Sequence, residues 1–205
     1  LIFSQGFMAM PTVYAALAQD LASHGYAVAA VSHPYADEVA LVAEGEEVAP
    51  FPGDAAFLAA LDPRDPYGAE LYLNWLPDAT FAIQQLNRLN DEDFGGRLDL
   101  DRLGFFGHSF GGGASAELCR ILAERCAGAI NFDGSHPPRL QELGMPAPYL
   151  YVAASRAGTA ESPEVRRVYE GVQADAFLAE IDGATHQAFG DGYFLRAAQG
   201  SLDDD

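Results

Sequence analysis

The stretch Leu103 to Gly113 (LGFFGHSFGGG), running on into the Ala-rich segment Ala114 to Arg125, constrains the fold more than any other part of the chain. A short apolar run that meets a glycine cluster and then a helical pattern is a buried strand turning at once into a helix. Gly107 and Gly111 bracket the turn and let neighbouring backbone pass without Cβ clashes. A strand this apolar needs strands on both sides, and the rest of the chain supplies them. Leu1 to Ser4 reads as the end of one. Tyr26 to Ser32 (YAVAAVS) is a continuous apolar run, expected of a strand covered on both faces. Ala127 to Asn131, Pro148 to Ala154 and Ala176 to Ile181 read as three more.

Helical patterns lie between them. Pro11 to Ser23 is helical and stops at His24-Gly25. Leu73 to Leu89 carries Trp75, Ala79, Ala82, Ile83, Leu86 and Leu89 on one stripe. Gly112 to Arg125, Pro163 to Ala174 and Tyr193 to Gln199 complete the set. Alternation of strand and helix predicts an α/β fold, a mostly parallel sheet of six strands with helices on both faces. The 205 residues suit a single domain, 1–205. One segment, 34–72, breaks the alternation with clustered Asp, Glu, Gly and Pro around an apolar patch, Ala55 to Leu61. It reads as a cap-like insertion that shapes a binding mouth, or as a solvated acidic loop. The last five residues, SLDDD, read as a frayed acidic tail.

Thirty acidic residues face eleven basic ones, all Arg, for a formal charge of −19. Such a surface repels phosphate backbones and anionic bilayers, which argues against nucleic-acid partners. No apolar run approaches the roughly 20 residues of a membrane helix, so no membrane insertion is expected. The start, Leu1-Ile2-Phe3-Ser4, lacks Met and shows no basic segment before an apolar one, so no signal peptide is read and the chain is expected to be soluble. It reads as a mature or trimmed fragment, open to a leader or further strands before it. Cys119 and Cys126 fall within one predicted helix. Two helical turns would hold them about 10 Å apart, beyond disulfide reach, so two free thiols are expected.

The chemistry centres on Gly107-His108-Ser109-Phe110-Gly111. G-x-S-x-G between a strand and a helix holds the serine on a strained bend with its hydroxyl projecting from the sheet edge, so Ser109 is the expected nucleophile. A serine hydroxyl needs a base. Of five histidines, His186 in Asp182-Gly183-Ala184-Thr185-His186 follows the last predicted strand at the carboxyl edge of the sheet, and it is the best candidate. His24 reads as solvated, His33 as loop packing, His108 as structural support, and His136 as a residue able to line the pocket. The acid that orients the base is expected at Asp133, at the end of its strand, with Glu161 the alternative after the next strand. An oxyanion needs two N–H donors. Phe110, next after the serine, is one, and Phe7 in the Ser4-Gln5-Gly6-Phe7-Met8 loop is the other. Phe7, Met8 and Phe110 are expected to wall the acyl pocket, with a plain core role open for Met8. No metal ligands cluster in the sequence and no dinucleotide fingerprint appears, so no cofactor is expected.

These residues resemble the plasma-type platelet-activating-factor acetylhydrolases, of the α/β-hydrolase superfamily, and their bacterial relatives. The likeness runs through Phe3-Ser4-Gln5-Gly6-Phe7, Leu21 to Val31, Gly107-His108-Ser109-Phe110-Gly111-Gly112, Phe132-Asp133 and Thr185-His186-Gln187-Ala188-Phe189. It implies Ser109 as nucleophile, Asp133 rather than Glu161 as acid, His186 as base, and oxyanion donors at Phe7 and Phe110. Gln5 stands where the family places a histidine. No amphipathic basic helix suggests docking on lipid, so short-chain acyl esters, rather than phospholipids, are the expected substrates. The expected activity is serine ester hydrolysis through an acyl-enzyme. The alternatives are a cutinase-like polyester hydrolase with an open cleft, or a non-catalytic binding module on the same scaffold.

Overall fold

The computed structural model describes residues 1–37, 40–41, 45–48 and 66–192. Eight strands are defined among them: β1 (Ile2–Ser4), β2 (Ala29–Val31), β3 (Ala40–Leu41), β4 (Glu47–Val48), β5 (Leu103–His108), β6 (Cys126–Phe132), β7 (Tyr149–Ala154) and β8 (Ala176–Ile181). The helices are α1 (Ala15–Ser23), α2 (Pro66–Glu92), α3 (Phe110–Ile121), α4 (Pro138–Leu143) and α5 (Pro163–Glu170). Six strands form one parallel sheet in the order β2-β1-β5-β6-β7-β8, and β3 pairs with β4 as a separate antiparallel ribbon.

Alternation along each strand builds two cores. Ile2, Leu103, Phe105, Ala129, Tyr149 and Tyr151 point to one face, where α2 brings Ala79 and Ile83, α3 brings Ala116 and Leu118, and α5 brings Val165 and Val168. Their neighbours Phe3, Phe106, Ile130 and Phe132 point to the other, under Tyr14 and the α1 residues Leu17 and Leu21. Burying a side chain such as Phe105 contributes about 2 kcal/mol, which anchors the strand that leads to the serine.

From β1 the chain runs outward to β2, then returns to β5 on β1's other side. The order therefore reverses between β1 and β5. In an open parallel sheet, that reversal opens a crevice at the strands' carboxyl ends. Gln5 to Met8 leave β1 there, and Ser109 leaves β5 there.

Four expectations need correction. β2 is an edge strand of the described sheet rather than one covered on both faces: β1 is its one partner there, and Tyr26 and Ala30 are exposed. The helix predicted over 112–125 starts two residues earlier and ends at Ile121, and that early end brings the cysteines together. After Leu122 the chain turns, Cys126 N–H donates to the Leu122 carbonyl at 2.9 Å, and Cys126 opens β6. Its Cα lies 5.3 Å from that of Cys119, and the two form a disulfide. A helical reading spaced them as rungs, whereas a helix-to-strand turn folds one back on the other. The helix predicted over 163–174 stops at Glu170, where Gly171 caps it. The patch Ala55 to Leu61 and the helix predicted over 193–199 lie outside the described residues, as does most of the 34–65 part of the insertion. Among the described residues no helix is long and apolar enough to cross a membrane.

Candidate active site

Ser109 occupies the bend between β5 and α3 with φ 56° and ψ −125°, a backbone region costly for any residue with a Cβ. Packing holds it there. Its N–H donates to the Phe132 carbonyl at 2.9 Å, and the Gly112 N–H donates to its own carbonyl at 3.0 Å. Gly111 lies against the Ser4 and Gln5 carbonyls so closely that any side chain there would strike them, which accounts for glycine two residues after the serine. The hydroxyl therefore sits at the N-terminus of a twelve-residue helix whose first N–H belongs to Phe110.

His186 reaches this hydroxyl from a loop seventy-seven residues downstream. Its Nε2 is 2.9 Å from Ser109 Oγ, and its Nδ1 is 2.7 Å from Asp133 Oδ2. Asp133 continues β6, its N–H donating to the Val152 carbonyl at 2.8 Å, and then bends at φ 54°, a region aspartate tolerates better than most residues. The side chain is fully buried, while the His186 ring is 37% exposed, so the line of three is open to solvent only at its histidine and serine end. Asp133 Oδ1 accepts the Ala154 N–H at 2.9 Å and the Thr159 hydroxyl. Burial alone would raise the Asp133 pKa. The hydrogen bonds from His186, Thr159 and Ala154, with the attraction of the His186 charge, outweigh it and hold the carboxyl below its ordinary range. Glu161 stands apart, its side chain exposed and paired with Arg166 at 3.7 Å.

On the crevice's opposite wall, Gln5 is fully buried and donates to Asp37 Oδ1. Asp37 also accepts the Ser32 hydroxyl and, at 3.1 Å, the His33 N–H. Met8 N–H donates to the Ala36 carbonyl at 2.8 Å, so the loop after β1 is tied at two points to the turn after β2. The Phe7 ring meets that of Phe110 edge-on at 6.2 Å. Phe110 is itself core, stacked on Tyr72 at 4.0 Å and set edge-on to Trp75 at 4.8 Å. Met8 is exposed.

The other histidines divide by burial. His136, expected at the pocket, is completely buried, its Nε2 2.7 Å from the Tyr149 hydroxyl. Burial pushes it down from the ordinary 6.5 to about 3. His108 is buried too and pushed down to about 4, by burial first and then by the His186 charge. His33 stacks on Trp75 at 3.9 Å with its Nδ1 2.9 Å from Asp78, the packing role expected of it. His24 is exposed at the end of α1. Among the described residues, no group of three or more His, Cys, Asp or Glu side chains is placed to hold a metal ion.

Sequence reasoning passed over Thr159, Tyr14 and Asp37. A search for carboxylates after β7 overlooks a hydroxyl five residues on. Tyr14 reads as one more apolar position of a helix, and Asp37 as one more acid of an acidic loop.

The sequence model of the family "Platelet-activating factor acetylhydrolase, isoform II" matches residues 1–47. The dog (Canis lupus familiaris) platelet-activating factor acetylhydrolase is 26% identical over 222 residues, covering 93% of this chain. Among solved structures, a ferulic acid esterase from Streptomyces cinnamoneus superposes with a TM-score of 0.73 at 28% identity over 99% of the chain. A structure from the metagenome-derived lipolytic enzymes LipS and LipT superposes with a TM-score of 0.56 over 98% of the chain and 90% of its own; at 17% identity it speaks for the fold alone. The chain spans 48% of the dog enzyme's length and 57% of the ferulic acid esterase chain. By the order of its sheet and its likeness to these esterases, the chain has the α/β-hydrolase fold, and in sequence it is similar to the platelet-activating factor acetylhydrolases.

Proposed function

We propose that this chain carries the catalytic centre of a serine carboxylic-ester hydrolase acting on short-chain acyl esters. The observation that carries this reading is the continuous line Ser109 Oγ, His186 Nε2, His186 Nδ1, Asp133 Oδ2, with gaps of 2.9 and 2.7 Å at its two ends. A carboxylate held ionised fixes the proton on Nδ1 and leaves the Nε2 lone pair facing the hydroxyl. As Oγ attacks the acyl carbon, Nε2 takes its proton, and Asp133 stabilises the imidazolium that forms. The negative oxygen of the tetrahedral intermediate is stabilised by the Phe110 N–H, at the positive end of α3, and by the Phe7 N–H. Collapse breaks the ester C–O bond, and Nε2 returns the proton to the leaving alcohol. Water then repeats the sequence on the acyl-enzyme, releasing the acid and restoring Ser109.

The likeness to a ferulic acid esterase favours a second reading in which the acyl group is aromatic. Relative kcat/KM on p-nitrophenyl acetate, p-nitrophenyl butyrate, methyl ferulate and an insoluble polyester separates the two, and tests the cutinase-like alternative in the same panel. The shared mechanism is tested with Ser109→Ala, which is expected to lose at least about 1000-fold in kcat and all labelling by a fluorophosphonate probe while melting within a few degrees of the parent. Turnover close to the parent's would exclude Ser109 as the nucleophile.

A further inference from the structure

Two buried side chains that the mechanism does not use, Tyr14 and His108, form a hydrogen-bonded chain between the two halves of the site. His108 Nε2 lies 2.8 Å from the backbone carbonyl of His186. A carbonyl only accepts, so Nε2 carries the ring proton and Nδ1 keeps its lone pair. That lone pair accepts the Tyr14 hydroxyl at 2.7 Å, and the Tyr14 oxygen in turn accepts the Gly6 N–H at 3.2 Å. Every group thus uses one donor and one acceptor in one direction. Both side chains are at least 96% buried, so water offers neither a replacement partner.

The two ends of this chain are the backbone units that matter to the proposed reaction. Gly6 precedes Phe7, and its carbonyl accepts the Ala9 N–H at 3.1 Å. With Gly6 held at both N–H and C=O, the planar peptide between Gly6 and Phe7 cannot rotate, and the Phe7 N–H keeps one direction. At the other end, the His186 carbonyl is gripped while its ring spans Ser109 and Asp133. The fit at Gly6 is close, since a Cβ there would lie 3.2 Å from His108 Nδ1 and 3.3 Å from the Tyr14 hydroxyl. A second strap runs beside the first. Asp191, just beyond His186, accepts the Ala16 N–H at 2.9 Å and donates its own N–H to the Val13 carbonyl at 2.6 Å. The segment bearing Tyr14 is therefore bound both to the loop before it and to the loop that carries the base.

We propose that Tyr14 and His108 are positioning residues which hold the Phe7 amide and the His186 ring in one fixed relation, so that oxyanion donor and base meet the same substrate carbonyl. This rests on the serine-hydrolase reading above. Neither residue touches the reacting atoms; both act through Gly6 and His186. The low His108 pKa follows from the same burial and keeps the ring neutral, the state in which both of its hydrogen bonds exist.

The test uses Tyr14→Phe, His108→Gln and their combination. Phenylalanine removes the hydroxyl and keeps the ring; glutamine can set its N–H₂ where Nε2 donates to the His186 carbonyl but has no acceptor at the Nδ1 position that faces Tyr14. Each single variant is expected to lose roughly tenfold or more in kcat on p-nitrophenyl acetate with KM within about twofold, and to slow fluorophosphonate labelling of Ser109 in parallel. The double variant is expected to be little worse than the poorer single one, because both interrupt one chain. A role confined to stability would lower the melting temperature and leave kcat of the folded protein unchanged. That result, or losses that multiply in the double variant, would overturn the proposal. If Ser109→Ala remains active, the hydrolase reading itself falls; if Ser109→Ala is dead and Tyr14→Phe turns over like the parent, the positioning proposal alone falls.

Discussion

Asp133 and Asp37 stand on opposite walls of the same crevice, one after β6 and the other after β2, and both are all but fully buried. Each accepts hydrogen bonds from backbone and side chain. Their pKa values nevertheless move in opposite directions. Burial raises both. For Asp133 the bonds from His186, Thr159 and the Ala154 amide, with the His186 charge, more than reverse the effect. For Asp37 the bonds from Ser32, His33 N–H and Gln5, with a coulombic contribution from His33, leave burial in command and its pKa raised. The difference lies in the partner rather than in the depth. Asp133 is hydrogen-bonded to an imidazole ring, whereas Asp37 is not, because the His33 ring turns to Asp78 and only the His33 backbone N–H reaches Asp37. One carboxylate is bonded to the ring that meets Ser109, and the other ties the loop after β1 to the turn after β2.

The sharpest way to break this comparison is Asp133→Asn. Asparagine turns an N–H₂ toward His186 Nδ1, which then offers its lone pair there and carries its proton on Nε2, facing Ser109. The expected loss is about 10³- to 10⁴-fold in kcat with little change in KM, read from steady-state kinetics on p-nitrophenyl acetate. A loss under about tenfold would mean that Asp133 does not orient the base.

Acid unfolding offers an intermediate effect. His108 and His136 are held neutral down to about 4 and about 3, below the ordinary 6.5 of an unfolded chain. Between these values the unfolded chain binds protons that the folded one refuses, so stability falls as pH drops from about 6.5 toward 4. Asp133, with its lowered pKa, adds to the loss further down, as pH falls below the ordinary carboxylate range. A tenfold difference in proton affinity between the folded and unfolded chain is worth about 1.4 kcal/mol, so the drop of His108 from 6.5 to about 4 accounts for no more than about 3.5 kcal/mol. Melting temperature measured from pH 7 to pH 4 is expected to fall steadily, and less steeply in His136→Phe. Equal slopes in the two proteins would contradict the neutral burial of His136.

The smallest effect is expected at Asp37→Asn. A raised carboxyl pKa works against the folded state as pH rises above the ordinary carboxylate value, the opposite sign to Asp133. Asparagine removes that charge and keeps an acceptor for Gln5 and His33 N–H, while the Ser32 hydroxyl reverses to accept. Stability at pH 7 is expected to stay within about 1 kcal/mol of the parent or to rise slightly, with kcat within about twofold. A drop of several kcal/mol in urea unfolding would show that the ionised carboxylate itself holds the loop.

Much of this architecture was legible along the chain. All six strands of the main sheet were found, the last, Ala176 to Ile181, with its observed limits, because parallel strands read as short apolar runs between helical patterns. Ser109, His186 and Asp133 were each placed at a strand's carboxyl end, and the structure brings the three into one line. The disulfide was not legible. Spacing within an assumed helix gives a distance, and one early helix end changes it completely. Nor was the depth of His136, since a loop residue two positions from a glycine carries no local sign that two tyrosines will cover it.

By itself the sequence determined the order of strands and helices and the bend at Ser109, because these depend on periodicity and on glycines a few residues apart. Only the tertiary structure decided which carboxylate faces a histidine, which histidines stay neutral, and that Tyr14 and His108 join Gly6 to His186 from nearly opposite ends of the chain. Those outcomes depend on burial and on partners met through space, and neither is a property of neighbours along the chain.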